Sequence, residues 1–325
     1  MLSNKNIIVT GVGKGLGYDL LLKIISLNGF VYGITRSKND IKKFRKLKNC
    51  KVFLGDIRDE ERLLTAFKDV DYVVHAAAQK HVPAAEYNPM EYVKTNVIGA
   101  QNVIEASIEK KIKKVIALSS DKAAAPINLY GATKLCSDKL FVAANNYSGQ
   151  KGLFSIIRYG NVMGSRGSII PHFIKQGGSG ELSITDKSMT RFNITLEHSV
   201  DLVIFAIKNS FGSEILIPKI PSYRITDLAK SIAPSCKLNV IGIRPGEKLH
   251  EQMIGIEDAP YTYEYSDHFK ILPAINNWNS DPERIQDGQL VKSDFIYSSD
   301  SNLDWMKERD LEEWIQENKE IEIKK

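Results

Sequence analysis

Strand-length apolar runs alternate with helix-length stretches through the first half of this chain, and that rhythm narrows the choice of fold more than any other feature. The runs are "NIIVT" at 6–10, "FVYGIT" at 30–35, "KVFLG" at 51–55, "YVVHAA" at 72–77, "KVIALS" at 114–119 and "FSIIRYG" at 154–160. Segments of mixed polarity fill the gaps, at 17–28, 59–68, 90–110 and 130–145. No tandem hairpin signals join neighbouring runs. Strand, helix, strand is the unit of a parallel sheet covered on both faces, so the pattern predicts an α/β, doubly wound fold. After about residue 165 Gly and Pro become frequent, as in "QGGSGELSIT" and "GIRPGEKLHE". That shift predicts a first domain over 1–165 and a smaller, loop-rich lobe over 166–325 whose chain crosses back to the sheet. The tail "DLEEWIQENKEIEIKK" reads as a closing helix.

Composition excludes several function classes. Of 325 residues, 43% are hydrophobic and 26% charged, the balance of a soluble globular chain, and no run reaches the length of a membrane span. The net charge of +5 is mild and the lysines are scattered, which suits a phosphate-bearing small molecule and not a nucleic-acid stripe. Cys50, Cys136 and Cys236 stand far apart without metal-ligand spacing, so neither a zinc site nor a disulfide framework is expected, and a reducing, cytoplasmic compartment is.

The first gap carries "VTGVGKGLGYDLLLKI". Gly11, Gly15 and Gly17 lie between a strand and a helix, where glycine permits a tight turn and lets a diphosphate approach the free N–H groups of the helix start. As the first strand-to-helix turn of an alternating chain, this predicts a Rossmann-like nucleotide site. A carboxylate at the end of the second strand would favour NAD. That place reads Thr35-Arg36, and Lys14 sits in the loop, so two cations and no acid point to the extra phosphate of NADP. Solvated surface charges would read the same. Asp56 in "LGDIRD" is placed to accept from an adenine amino group, or simply to cap a loop.

Tyr130 and Lys134 in "SSDKAAAPINLYGATKL" are four apart on a predicted helix and share one face. A tyrosine with a pKa near 10 is only about 0.1% ionised at pH 7. A neighbouring ammonium and a nicotinamide cation can lower that value and make a phenolate base. Ser120 at the preceding strand end completes the pattern of a hydride-transfer site.

At these residues the chain resembles the extended short-chain dehydrogenases/reductases. More narrowly, it resembles the C5-inverting UDP-N-acetylglucosamine 4,6-dehydratases of pseudaminic acid and related surface-polysaccharide pathways. The resemblance rests on "GDIRDEERL", "HAAAQKHVPAAEYNPMEYVKTNVIGAQNVI", "SSDKAAAPINLYGATKLCSDKLF", "RYGNVMGSRGS", "ITDKSMTRF", "IPKIPSYRITDLA" and "IGIRPGEKLHE", spread over roughly residues 51–300. The first fifty residues depart from it: the family usually has T-G-G-T-G-S-F-G, and here Lys14 replaces a glycine. Ser120 also stands where a threonine is common.

The resemblance implies a lyase that oxidises C4 with NADP, eliminates water across C5–C6 and returns hydride to C6. Tyr130, Lys134 and Ser120 would serve the oxidation. Lys122 would take the C5 proton and Asp121 would protonate the leaving 6-hydroxyl. Adjacent opposite charges ordinarily hold each other ionised, so those roles require a site that favours the neutral pair. The implied cofactor site comprises Gly11, Lys14, Gly15, Leu16, Gly17 and Arg36, then Asp56, Ile57, Ala76, Ala77, Ala78 and Asn96, with Tyr130 and Lys134. The implied UDP-sugar contacts are Lys80, Asn161, Ser165, Arg166, Thr190, Arg244 and Glu247, any of which could instead be structural. Met163 and Met189 read as packing. A homo-oligomer, dimer to hexamer, is expected from the resemblance. A 4-epimerase or 4-ketoreductase would need Tyr130 and Lys134 but not the pair at 121–122. An NADP-sensing protein on the same fold is the non-enzymatic alternative.

Overall fold

A strand covered on both faces has no solvent side, which is why the early runs are apolar at nearly every position. In the computed structural model, which describes residues 2–13, 15–149, 152–164 and 169–323, these runs form β1 (Asn6–Thr10), β2 (Phe30–Thr35), β3 (Cys50–Leu54), β4 (Tyr72–His75), β5 (Lys114–Leu118) and β6 (Phe154–Ile157). The helices between them are α1 (Leu16–Ser26), α2 (Lys38–Phe44), α3 (Glu60–Ala66), α4 (Val82–Tyr87), α5 (Pro89–Tyr92), α6 (Gly99–Glu109) and α7 (Leu129–Tyr147). All six strands are parallel, in the order β3-β2-β1-β4-β5-β6. β1 pairs with β2 on one side and β4 on the other, with Thr10 opposite both Ile34 and His75. The chain therefore reverses its direction of winding at β1 and β4, and a crevice opens beyond their carboxyl ends.

The second half returns to this sheet more than its Gly and Pro content suggests. Helix Leu196–Asn209 leads into strand Ile215–Pro218, which lies parallel to β6. Strand His268–Ile271 then pairs antiparallel with it, followed by Thr262–Glu264 and Gln289–Leu290, for ten strands among the described residues. Four-residue strands bounded by proline leave little periodic signal, so the expected return to the sheet could not be assigned to particular strands from the sequence. The rest forms a smaller lobe with its own core of Phe173, Leu182, Ile184, Met189, Tyr223, Leu228 and Leu311. Met163 and Met189 are buried in it as packing residues. Three small sheets frame this lobe, and one of them pairs Gln252–Ile254 with Tyr297–Ser298 directly beside the turn after β5.

Candidate active site

The glycine loop lies at the crevice, and close approach dictates its glycines. Gly11 has φ 79°, and a Cβ there would come 2.9 Å from Ala77 Cα. A Cβ on Gly17 would strike the Gly11 carbonyl oxygen, so helix α1 could not pack against the end of β1. Gly15, at φ 63°, caps α1 and has open space where a Cβ would stand, with Leu16 opening the helix. Thr10 Oγ1 accepts from Ala76 N and Ala77 N, each at 3.1 Å, and fixes the strand ends across the crevice; Ala78 follows on the same segment. Free helix N–H groups facing an uncrowded glycine turn fit a dinucleotide diphosphate. Lys14 lies outside the described residues.

The loop is not free of acid, contrary to the reading of Thr35-Arg36. The first turn of α2, capped by Ser37, folds Asp40 back so that its Oδ2 lies 2.5 Å from where a Cβ on Gly13 would be. That oxygen accepts from Thr35 Oγ1 at 3.0 Å, and Asp40 is buried. Arg36 is exposed, 3.8 Å from Asp56. Asp56 is held by Arg58, whose Nε and Nη2 reach its Oδ2 at 3.1 and 2.8 Å. Burial opposes its charge, but the Arg58 contacts and Arg36 keep its carboxyl below the ordinary range. Ile57 packs beneath Gly99 at the head of α6.

Tyr130 and Lys134 do share a face of α7, and both are buried. Lys134 Nζ donates to Leu118 O at 2.7 Å, at the end of β5. Burial lowers its pKa from the usual lysine value, and Asp138 only partly opposes this. Burial raises the Tyr130 phenol above 10, although the Ser120 hydroxyl and the Lys122 charge pull it down. The groups that lead in lowering it are thus Ser120 and Lys122, while Lys134 is bonded to a carbonyl in a desolvated pocket. Asn96 does not touch Lys134. It lies in a π-helical turn, Val93–Ile98, accepts from Gln79 N at 2.8 Å, and donates to Gln79 O and Thr133 Oγ1 at 2.9 and 3.1 Å. It pins the segment after β4 to α7.

Directly after β5 the chain makes a single 3₁₀ turn, Asp121–Ala123, with Ser120 as its cap. Gly131 allows α7 to press against it: a Cβ at 131 would strike the Lys122 carbonyl oxygen. Asp121 is 1% exposed; its Oδ1 accepts from Ser120 Oγ at 2.9 Å and Lys122 Nζ at 3.2 Å. Lys122 Nζ also lies 3.1 Å from Glu251 Oε1, and Glu251 is 2% exposed. Burial works against the ammonium, yet Asp121 and Glu251 outweigh it and hold Lys122 above the normal lysine range. The neutral pair required of Asp121 and Lys122 is therefore not the resting arrangement, since the sequence reading weighed one carboxylate against this lysine and the fold supplies two.

Of the expected sugar contacts, Lys80 stands by the site: it is exposed, yet desolvation by the surrounding protein, then the Lys122 charge, holds its pKa below the lysine range. The neighbouring His81 caps α4 through Ala84 N. Asn161 bonds the buried Tyr223 hydroxyl. Thr190 is buried and its Oγ1 is taken up by His250 Nδ1 at 2.8 Å and Ser299 Oγ at 2.7 Å. Arg244 and Glu247 bind each other through two contacts of 3.1 and 2.9 Å. Ser165 and Arg166 lie outside the described residues. Sequence reading gave no role to Glu251, Arg191, Lys248 or Tyr223, although "MTRF" and "GEKLHE" hold three of them. Arg191 donates to Leu249 O and Lys248 O at 3.0 and 2.9 Å and lies 3.8 Å from Glu251, bracing the segment that carries it.

Among the described residues no cluster of metal-ligating side chains and no helix long and apolar enough to cross a membrane is present. A family model described as polysaccharide biosynthesis protein matches residues 7–273. A UDP-N-acetylglucosamine 4,6-dehydratase (inverting) of Campylobacter jejuni subsp. jejuni is 50% identical over 96% of this chain and 97% of its own length. A UDP-glucose 4-epimerase of Rickettsia canadensis is 38% identical, covering 83% of this chain and 84% of its own. The X-ray structure of Pen from Bacillus thuringiensis superposes with a TM-score of 0.89 at 34% identity, covering 98% of this chain and 99% of that one. A dTDP-glucose 4,6-dehydratase from Streptomyces venezuelae, DesIV, shares the fold at a TM-score of 0.68 and 19% identity, over 75% and 86%. The family match spans the glycine loop, the turn at 120–123 and α7 alike, and the chain belongs to the polysaccharide biosynthesis protein family.

Proposed function

We propose that the chain is an NADP-dependent UDP-N-acetylglucosamine 4,6-dehydratase that inverts C5, giving UDP-2-acetamido-2,6-dideoxy-β-L-arabino-hex-4-ulose. The observation that carries this is the meeting of Asp121 and Lys122 with Tyr130 at the crevice beside the glycine loop. The 50% identity to a relative bearing that name supports it. In this reading residues 1–165 carry the cofactor and the reacting groups, and 166–325 hold most of the nucleotide-sugar. The exposed Arg36 suits a 2′-phosphate, while the Asp40 carboxylate is occupied by Thr35.

A nicotinamide bound beside Tyr130 would supply the hydride chemistry, taking hydride at C4 and giving it back at C6, and its positive ring would offset the burial of the Tyr130 phenol. Tyr130 takes the 4-hydroxyl proton, with Ser120 and Lys134 holding the helix and strand end in register. For the elimination, a proton moves from Lys122 Nζ to Asp121 Oδ1 across their 3.2 Å contact. The free amine then takes the C5 proton, and Asp121 gives its proton to the 6-hydroxyl, which leaves as water. The pair ends as it began, ammonium beside carboxylate; hydride return to C6 then draws one proton onto C5 from the face opposite the base, and Tyr130 releases the one it took, so protons balance over the cycle.

Incubating the protein with UDP-N-acetylglucosamine and NADP, and weighing the product, tests the reading. Loss of one water is expected, with deuterium at C5 in heavy water and coupling constants of the L-arabino ring. The epimerase relative keeps a second reading in play, in which the sugar changes configuration at C4 with no change of mass. An unchanged mass over many turnovers would exclude the dehydratase.

A further inference from the structure

The Lys122 ammonium is held from two sides that are distant in sequence. Asp121 belongs to its own turn. Glu251 comes from the returning chain, one residue before strand Gln252–Ile254, and its backbone is tied down on both sides of the peptide. Glu251 N donates to Ser299 Oγ at 3.0 Å, and Glu251 O accepts from Ser299 N at 2.8 Å. The carboxylate is therefore aimed by a paired strand, and one of its oxygens meets Lys122 Nζ at 3.1 Å. The other, Oε2, is buried and without a hydrogen-bond donor among the described residues, as is Asp121 Oδ2. Burying a carboxylate with half its acceptor capacity unmet is costly, and a purely structural role would be served as well by an amide or a hydrocarbon.

We propose that Glu251 is a positioning residue for the elimination: it holds Lys122 Nζ between itself and Asp121, and sets both the strength of Lys122 as a base and the pH below which that base is blocked. This inference rests on the dehydratase reading. Its chemical sense is that a hydrogen next to a ketone is weakly acidic, so the base that removes it must bind the proton firmly. A carboxylate beside the lysine stabilises the ammonium formed by proton removal and so strengthens the amine. The same contact lowers the fraction of free amine near neutral pH.

The charges facing Lys122 come from several elements. Asp121 and Glu251 are the anions; Arg191, Lys80 and Lys248 are cations that oppose the ammonium, and the Tyr130 and Tyr223 phenols lie nearby. Arg191 also lies 3.8 Å from Glu251 Oε1, and Lys248 Nζ is bonded to Ala124 O at 2.7 Å. Glu251 is the one carboxylate of this set outside the proposed proton-transfer pair, so it can be neutralised without removing a reacting group.

The test compares the unmodified chain with Glu251→Gln and Glu251→Asp in single turnovers at a series of pH values. Water loss is followed by mass, and the oxidation half-reaction by absorbance of the reduced nicotinamide. For Glu251→Gln the acid limb of water loss should move to lower pH by about one unit or more, the usual effect of an adjacent opposite charge. Its high-pH plateau should fall at the same time. Glu251→Asp, with the charge withdrawn by one methylene, should shift the limb in the same direction and less, and keeps the test available if the amide variant does not fold. A lowered plateau with an unmoved limb means ordinary packing and overturns the inference. The charge on Lys122 is also read without substrate, by NMR of protein labelled at lysine Cε, with Lys122→Arg assigning the signal. Titration of Lys122 at the same pH in variant and unmodified protein overturns the inference even if no product is made. Failure of the unmodified protein to release water at any pH overturns the dehydratase reading, and the lysine titration still decides this one.

Discussion

The floor of the crevice and its wall each present a lysine, and the two are in opposite electrical conditions. The floor is built from the parallel strands and α7. There Lys134 finds a carbonyl oxygen, Leu118 O, and burial pulls its pKa down. The wall is where the returning chain meets the turn after β5. There Lys122 finds two carboxylates, and its ammonium is secured despite burial. Residue type and even local spacing do not distinguish them; the distant partner does. A desolvated lysine next to neutral dipoles is close to giving up its proton, and the same side chain between carboxylates is not.

The largest expected effect separates floor from wall chemically. Tyr130→Phe removes the only group of the floor proposed to take a proton, so reduction of the nicotinamide by substrate should fall by about 10²–10⁴-fold, the usual contribution of a general base. Lys122→Ala should leave that reduction in place and lower water loss by a similar factor. Rapid mixing with substrate, reading the reduced cofactor and then the product mass, resolves the two. If Lys122→Ala forms the 6-deoxy product at the unmodified rate, the wall takes no part in elimination and the comparison collapses.

Gly131 joins the two regions, since the absence of its side chain lets α7 and the turn at 121–123 touch. Alanine there would set a Cβ against the Lys122 carbonyl oxygen, a backbone atom that cannot rotate away. The helix carrying Tyr130 and the turn carrying Lys122 must then separate. A displacement of about 1 Å between reacting groups costs about 10²-fold in rate. Gly131→Ala should therefore lose about that much in water release, and some stability from overpacking, about 1–3 kcal/mol. A variant with full activity would show that the two regions need not be held in contact.

The floor and the pair at 121–122 were legible in the sequence, and the side of the wall that the returning chain supplies was not, for a physical reason. Helix periodicity places Tyr130 and Lys134 on one face of α7, and apolar alternation orders β1 to β6, because both signals are local. Glu251 and Arg191 reach Lys122 only through tertiary pairing, and the strands that aim them are two to five residues long and rich in polar positions. Asp40 was missed for a milder version of the same cause. It is five positions past Thr35, and only the cap of α2 at Ser37 turns it back over the glycine loop. Asn96 was noticed as a site residue, but its partners were not: its amide spans Gln79 and Thr133, and a helix position alone does not say which side chains it meets.

The smallest expected effect tests whether the floor admits a further charge beside Lys134. His75, at the end of β4, is buried against Phe141, and its Nδ1 lies 3.0 Å from Thr10 Oγ1. That hydroxyl oxygen already accepts from Ala76 N and Ala77 N, so its proton goes to Nδ1 and the ring stays neutral. Burial, and after it the Lys134 charge, push the His75 pKa down to about 3. In the unfolded chain it returns to about 6.5. Between those two values the unfolded state holds a proton that the folded state does not, so stability must fall as pH falls. His75 adds nothing to this slope above about pH 6.5, costs about 1.4 kcal/mol per unit below it, and levels off below about pH 3. At pH 5 the loss attributable to it is about 2 kcal/mol. Urea unfolding of the unmodified chain and of His75→Gln, compared at pH 7 and pH 5, should show the unmodified protein losing about that much more on acidification. Equal losses would mean that the floor tolerates a charge at His75, and that burial without a carboxylate partner is not what distinguishes it from the wall.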